Sequence, residues 1–188
     1  MATSVGKEDD KLEMLQHLIK LDHAAAEAYE AAIERLDNAS YKAQLAEFKR
    51  DHERHIQELS PVVRAMGGEV PDGSSAKEML TQGKVALSSL GGDDSILKAM
   101  KSNENDTNTA YERVVERCPV EARDIVERGL ADDRRHCDWI LAQLGEEPEV
   151  RTSGRPRGTS GRADGTSGRP CATSGGADGT SGRAGRAS

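Results

Sequence analysis

The chain of 188 residues carries 26 Lys and Arg against 33 Asp and Glu, a formal net charge of −7. Residues 151–188 hold seven Arg, two Asp and ten of the 19 Gly, so this tail has a net charge of +5 and the first 150 residues have one of −12. An acidic domain is a poor binder of nucleic acid. The aromatic content of 3% favours an aliphatic, helical core over a β-sandwich.

Membrane insertion and secretion find no support in the sequence. Uninterrupted apolar stretches are only a few residues long, and residues 1–10 contain no apolar segment of the kind that signal peptides need. The three cysteines, Cys118, Cys137 and Cys171, are odd in number and widely spaced, which argues against a disulfide framework. We therefore predict a cytoplasmic protein in a reducing compartment.

The first half of the chain predicts two amphipathic helices, because apolar residues recur at steps of three and four. The first helix begins at residue 11, after a flexible segment 1–10, and ends before Asp37-Asn38. Ser40 is the predicted N-cap of the second helix, which the glycine pair at 67–68 stops. The short link between them makes this pair an antiparallel hairpin.

A second pair of helices follows a long connection, residues 69–95, in which Ala76 to Leu90 could form a short helix. Asp93-Asp94-Ser95 supplies N-cap candidates for the third helix, and Pro119 fits the first turn of the fourth. The long middle link permits a crossover between the hairpins. We predict an all-α, ferritin-like four-helix bundle over residues 11–146, rather than a plain up-down-up-down bundle.

The two predicted hairpins are related by an internal repeat. The segment LDHAAAEAYEAAIERL (21–36) aligns with NENDTNTAYERVVERC (103–118), and DHERH (51–55) aligns with DDRRH (132–136). Two such copies are expected to pack about a pseudo-two-fold axis.

The tail carries a different repeat. Thr-Ser-Gly recurs every seven residues from Thr152 to Thr180, in a context of Gly, Ser, Thr, Arg and Pro. This composition cannot bury a core, so we predict that residues 147–188 are disordered. The alternative is a weak arm for anions or nucleic acid.

Ionisable residues interrupt the apolar stripe near the middle of every bundle helix. By their spacing they share the face of the surrounding apolar side chains and should point inward. Three carboxylates and three imidazoles are costly to bury unless they pair with each other or bind a cation. The six residues are Asp22, His52, His55, Glu104, Asp133 and His136.

The spacing of these residues is typical of a metal site. His52-x-x-His55 and Asp133-x-x-His136 each place two side chains on one helix face, where both can bind one metal. Bundles that hold two iron or manganese ions use one carboxylate from each of two helices and a Glu-x-x-His pair from each of the others. Carboxylate with imidazole suits Fe, Mn or Zn better than Mg or Ca. The alternative is a metal-free polar network that fixes helix register.

Three pairs of residues, each related by the repeat, are candidates for supporting this site. The first pair consists of acids four residues before a histidine, which either orient the imidazoles or are ordinary solvated acids. The second consists of core tyrosines whose hydroxyls could bond to the site. The third consists of glutamates at the edge of the core face, which could add ligands. In this order the pairs are Asp51 and Asp132, Tyr29 and Tyr111, and Glu30 and Glu112.

Four segments resemble the ferritin-like superfamily: LDHAAAEAYEAAIERL, FKRDHERHIQEL, ILKAMKSNENDTNTAYERVVE and LADDRRHCDWIL. Within it, the chain resembles a bacterial family of ferritin-like four-helix-bundle proteins of largely unassigned function, related to rubrerythrins and ferritins. The likeness covers about residues 10–145. It implies a dinuclear site for iron, with Mn or Zn as alternatives, at the six residues named above.

The resemblance also implies a role in iron handling or in the response to peroxide and oxidative stress. Two ferrous ions would reduce O₂ or H₂O₂, with nearby tyrosines as one-electron partners. Two positions depart from the superfamily pattern, since His52 stands where Glu is usual and Asp133 is one methylene shorter than Glu. Without a rubredoxin-like CxxC…CxxC segment, reductase chemistry would need an external electron donor. Two alternatives remain open: a non-catalytic helical stress or interaction protein, and a mononuclear zinc or manganese site.

Overall fold

The computed structural model describes residues 3–76 and 91–147, and over these ranges it is all-helical, without strands. The four helices are α1 (Lys11–Arg35), α2 (Ala39–Ala65), α3 (Asp93–Arg117) and α4 (Val120–Leu144). A 3₁₀ turn, Gly73–Ala76, follows α2. The prediction of an all-α domain built on four helices is confirmed. The predicted short helix from Ala76 to Leu90, beyond its first residue, and the repetitive tail lie outside the described residues.

The helix ends correct two predictions. The N-cap of α2 is Asn38, whose side-chain oxygen accepts hydrogen bonds from the backbone N–H groups of Ser40 and Tyr41, at 2.9 and 3.2 Å. Ser40 is therefore the second residue of the helix, and the prediction that it caps α2 is wrong. The residue before α3 is Gly92, at a φ of 83° that favours glycine. The prediction of a cap among residues 93–95 is thus also wrong.

The Asp93 carboxylate instead bonds to another turn of the chain. It accepts hydrogen bonds from the backbone N–H groups of Asp37 and Asn38, at 2.8 and 3.0 Å. Both of these residues lie in the turn between α1 and α2. These hydrogen bonds hold the start of α3 against the α1–α2 turn. Both lie at the end of the bundle opposite the start of α1.

The packing order places α1 beside α2 and α3, and α4 beside α2 and α3. At each of these four interfaces the two helices are antiparallel. At the α1–α3 interface, for example, Tyr29 meets Glu104 and Asp22 meets Tyr111. The end of α2 lies beside the start of α1, since Gly68 packs against Leu12. The end of α2 and the start of α3 therefore lie at opposite ends of the bundle.

The core contains two large apolar clusters with a polar layer between them, and a small third cluster of Cys137 and Leu141. One cluster lies around the start of α1, and its members include Leu15, Leu18, Leu59, Val63, Val114 and Val126. The other lies around the α1–α2 turn, and its members include Ala32, Leu36, Leu45, Phe48, Leu97 and Ile140. Each large aliphatic side chain contributes about 1.5–3 kcal/mol when fully buried. The clusters stabilise the bundle and separate the polar layer from water at both ends.

The N-terminal segment, for which the sequence predicts flexibility, packs along α3 from Thr3 onward. Arg113 Nη1 donates to the carbonyl oxygens of Thr3 and Val5, and Arg117 Nη1 donates to that of Gly6. Val5 is buried. Among the described residues, no helix has an apolar run of the length that a membrane crossing requires.

Two cysteines, Cys118 and Cys137, lie in the described ranges. Cys118 is a free, buried thiol. Cys137 is fully buried on α4. Its sulfur also accepts a hydrogen bond from Asn108 Nδ2 at 3.1 Å.

Candidate metal centre

All six ionisable residues of the apolar stripes lie in the polar layer. His55 is 1% exposed and the other five are at 0%. Each helix supplies its residues from near its middle, with Asp22 from α1 and Glu104 from α3. His52 and His55 come from one face of α2, and Asp133 and His136 come from one face of α4. The inward orientation predicted from the stripes is therefore what the structure shows.

Four of these residues form the group that we call the four-residue group: His52, Glu104, Asp133 and His136. One ligand atom from each lies within 4.8 Å of the others, as around a common cation. His52 Nε2 is 3.6 Å from Glu104 Oε1 and 4.0 Å from Asp133 Oδ1. His136 Nδ1 is 3.3 Å from Glu104 Oε2. Two imidazoles and two carboxylates could therefore hold one metal ion.

Asp22, His52 and His55 form a second group, the three-residue group, whose ligand atoms also lie within 4.8 Å of one another. His52 Nδ1 lies 3.0 Å from Asp22 Oδ1, and His55 Nδ1 lies 3.6 Å from the same oxygen. The His52 ring belongs to both groups, because its two nitrogens face opposite ways. The two groups are therefore adjacent and share one imidazole.

Many polar atoms of this layer have no hydrogen-bond partner. Atoms without one include His52 Nε2, His55 Nδ1, Glu104 Oε2, both carboxylate oxygens of Asp133, and His136 Nδ1. A buried polar atom without a partner costs about 1–3 kcal/mol. A cation between them would satisfy lone pairs that the protein itself leaves unused, so the donor set fits a metal ion.

The outer acids orient the imidazoles of the opposite hairpin. His136 Nε2 donates to Asp51 Oδ2 at 3.0 Å, and His55 Nε2 lies 3.3 Å from Asp132 Oδ2. The sequence pattern pairs each acid with the histidine four residues later on its own helix, Asp51 with His55 and Asp132 with His136. This pairing is wrong, because each acid contacts the histidine of the other hairpin. A proton held on Nε2 leaves the lone pair of Nδ1 pointing into the site.

The tyrosines also reach across the hairpins. Tyr29 Oη donates to Glu104 Oε1 at 2.7 Å, and Tyr111 Oη donates to Asp22 Oδ2 at 2.9 Å. Both rings are buried at 1% exposure or less. Each hydroxyl therefore fixes one oxygen of a site carboxylate that belongs to the other hairpin.

Two arginines close the side of the site between α2 and α4. Arg54 pairs with Asp51 and Asp132, and so does Arg135. Sequence reasoning missed both arginines, although the repeat contains the signal. Each stands three residues after an outer acid, at aligned positions of DHERH and DDRRH. A hollow of about 610 Å³ borders this side and is lined by Arg50, Arg54 and Arg135 among others.

The charges of the metal-free site favour protonated imidazoles. Burial lowers the pKa of His52, but the neighbouring carboxylates of Asp22 and Glu104 outweigh it and hold this pKa well above its ordinary value. For His55, burial is likewise outweighed, by Asp132 and Asp22, and the pKa is raised to about 9. Burial raises the pKa of the Asp133 carboxyl to about 7. A metal ion must therefore displace protons when it binds.

Two predicted ligands lie outside both groups. The Glu30 carboxylate is 60% exposed and pairs with Lys49 Nζ at 3.1 Å. Glu112 lies 3.3 Å from Arg134 Nη2. Both carboxylates pair with cations at the rim of the bundle, and neither belongs to the two ligand groups.

A family model described as "Domain of unknown function (DUF2383)" matches residues 10–117, more than half of the chain. The chain belongs to the DUF2383 family. No curated protein and no solved structure gives a significant match to it. The DUF2383 match covers α1, α2 and α3 and ends before α4, which supplies Asp133 and His136.

Proposed function

We propose that this chain is a ferritin-like metal-binding protein whose buried centre binds iron, two ions when full, and acts in iron handling or in the response to peroxide. The observation that carries the proposal is the set of unpartnered, inward-facing ligand atoms on three helices, α2, α3 and α4. Asp22 of α1 completes the three-residue group through oxygens that already accept hydrogen bonds.

The choice of iron rests on the donor set. The two groups combine three carboxylates with three imidazoles and contain no thiolate. Such a mixture suits Fe, Mn or Zn, whereas Mg and Ca prefer oxygen ligands alone. Bound ferrous iron would supply the electrons for reduction of O₂ or H₂O₂, and an external donor would restore them.

The protein's own residues prepare the centre for such chemistry. The two apolar clusters exclude water, and Asp51 and Asp132 hold the imidazoles in one orientation. The hydroxyls of Tyr29 and Tyr111 lie against site carboxylates. Burial and those neighbouring carboxylates raise the pKa of both tyrosines well above its ordinary value, so both hydroxyls keep their protons at neutral pH.

A metal-free structural network is the second candidate function, and one observation favours it. Each of the three imidazoles already has a carboxylate within 3.3 Å of one nitrogen, as in a network that only sets helix register. Such a network would satisfy both nitrogens of each ring, however, and here the second nitrogen of every ring has no hydrogen-bond partner. This difference favours metal binding.

Metal analysis of the full chain, purified without chelators, tests the proposal. We expect stoichiometric iron in the native protein and a loss of about 10-fold or more in a His55→Ala/His136→Ala variant, which lacks two imidazole ligands. A His17→Ala/His23→Ala variant is the matched control, because it removes two histidines outside both groups and should keep its iron. Circular dichroism checks that all three proteins are folded.

The outcomes separate the candidates. Equal metal in the site variant and in the control would refute the site, and absence of metal in all three would favour the structural network. Zinc in place of iron would refute the redox role, because Zn²⁺ has no redox chemistry, and manganese would refute iron as the bound metal. If iron binds, anaerobic loading followed by addition of H₂O₂ measures turnover directly.

A further inference from the structure

We infer that the two ligand groups bind metal in a fixed order: the four-residue group binds the first ion tightly, and the three-residue group binds a second ion more weakly. The inference rests on the proposed function and adds the order of loading to it. It follows from which ligand atoms the fold leaves available in each group.

In the four-residue group, every residue presents an atom without a hydrogen-bond partner. These atoms are His52 Nε2, Glu104 Oε2, Asp133 Oδ1 and Oδ2, and His136 Nδ1. All four residues are at 0% exposure, so water does not compete for these atoms from outside. The first ion displaces protons from these groups but gains four ligands without breaking a hydrogen bond inside the protein.

Of the atoms that face the three-residue group, His55 Nδ1 has no hydrogen-bond partner, whereas His52 Nδ1 and both oxygens of Asp22 are already bonded. Asp22 Oδ1 accepts from His52 Nδ1 at 3.0 Å, and Asp22 Oδ2 accepts from Tyr111 Oη at 2.9 Å. His52 Nδ1 carries the hydrogen that it donates, so it has no lone pair for a metal. A second ion must break the His52–Asp22 hydrogen bond and remove that hydrogen.

The two groups should differ in metal affinity because they share the imidazole of His52. The repeat places His52 opposite Asp133, so a ring stands in one hairpin where the other has a carboxylate. A carboxylate has two oxygens that can both serve metals while ionised, whereas a neutral imidazole has one lone pair. With Nδ1 donating to Asp22, the lone pair of His52 is on Nε2, which faces Glu104 and Asp133.

Anaerobic titration of the full chain with Co²⁺, followed by calorimetry and visible absorption, tests the order. We expect two binding steps whose affinities differ by about 10-fold or more, the equivalent of at least one hydrogen bond lost in the second step. His55→Gln should remove only the weak step. Asp133→Asn, which keeps the shape of the side chain, should remove the tight step.

Two further variants complete the design. His52→Glu, which offers two oxygens in place of one lone pair, should bring the two affinities within about 3-fold of each other. Asp124→Asn is the matched control on α4, because this acid is exposed and lies outside both groups, and it should bind as the native protein does.

The results separate the order of metal binding from metal binding itself. Two steps of equal affinity in the native protein, or loss of the tight step in His55→Gln, would overturn the order while leaving metal binding intact. If the native protein binds no Co²⁺ at all, both the order and the proposed function are wrong.

Discussion

The α1–α2 hairpin and the α3–α4 hairpin supply the same kinds of supporting contact to the centre. Tyr29 bonds to Glu104 as Tyr111 bonds to Asp22, and Asp51 meets His136 as Asp132 meets His55. Arg54 and Arg135 pair with the same two outer acids. These contacts come in exchanged pairs, so the support of the centre follows the internal repeat.

The hairpins differ at two aligned positions that touch the centre. His52 of one hairpin aligns with Asp133 of the other, and Phe48 aligns with Gly129. The Phe48 ring stacks on His136, with ring centroids 4.1 Å apart. At Gly129 a Cβ atom would lie 2.4 Å from Cε1 of Tyr111, so no side chain fits there. The symmetric supporting contacts thus surround inner residues that are not symmetric, and three experiments test this difference.

Replacement of Phe48 should have the largest effect. Its ring is 1% exposed, and Phe48→Ala should lower the free energy of unfolding by about 3–5 kcal/mol because it leaves a cavity beside His136. Urea denaturation of the metal-free protein measures this loss. Glu47→Ala, at the exposed neighbouring position, should change stability by at most about 0.5 kcal/mol. Equal losses in the two variants would show that the packing of Phe48 against His136 does not stabilise the bundle.

The stabilisation that metal confers should depend on pH. The pKa of His55 in the folded, metal-free protein is raised to about 9, from an unperturbed value of 6.5. The folded state therefore keeps a proton that the unfolded chain loses between these values, and the metal-free stability from this group is present below pH 6.5 and is lost as pH rises through 9. Metal competes with the same proton, so its affinity should rise over this window.

Thermal unfolding with and without Mn²⁺, at several pH values from 6 to about 9, checks this prediction. We expect the difference in Tm between the two conditions to grow with pH. At a free metal concentration of about 100 times Kd the stabilisation reaches about 2.7 kcal/mol. The His55→Ala/His136→Ala variant should show no such growth. A difference that shrinks with rising pH would contradict proton displacement by the metal.

The two tyrosine hydroxyls should have equal and smaller effects. Tyr29→Phe and Tyr111→Phe each remove the donor to one buried carboxylate oxygen, and each should cost about 1–3 kcal/mol of stability in the metal-free protein. Tyr41→Phe, at a half-buried position beside Trp139, serves as the control and should cost at most about 0.5 kcal/mol. If the first two variants differed by more than about 1 kcal/mol, their contacts would not be equivalent.

The sequence pattern was sufficient to predict the four helices and the inward direction of the six ionisable residues, because both follow from helical periodicity. It could not assign partners across the hairpins, since periodicity places a residue on a face but does not say which residue faces it. Asp51 was therefore paired with His55 on its own helix, whereas it contacts His136.

The remaining differences have local causes. Asn38 caps α2 instead of Ser40, because a helix can begin one or two residues earlier when a better-placed acceptor is present. Glu30 and Glu112 lie at the boundary between core and solvent, where the side chains of Lys49 and Arg134 reach them. At such positions the helical pattern does not distinguish a ligand from a surface ion pair.

The exchange of contacts between the hairpins has a consequence for local unfolding. If α3 and α4 moved away together, His55 would lose its contact with Asp132, and Asp22 would lose its hydrogen bond from Tyr111. The side chains of the centre on the remaining α1–α2 hairpin would then be less ordered. The same holds in reverse for His136 and Glu104. Near the centre, therefore, neither hairpin can unfold locally without the other, as amide hydrogen exchange would detect. Amides near the middle of all four helices should therefore become protected from exchange together.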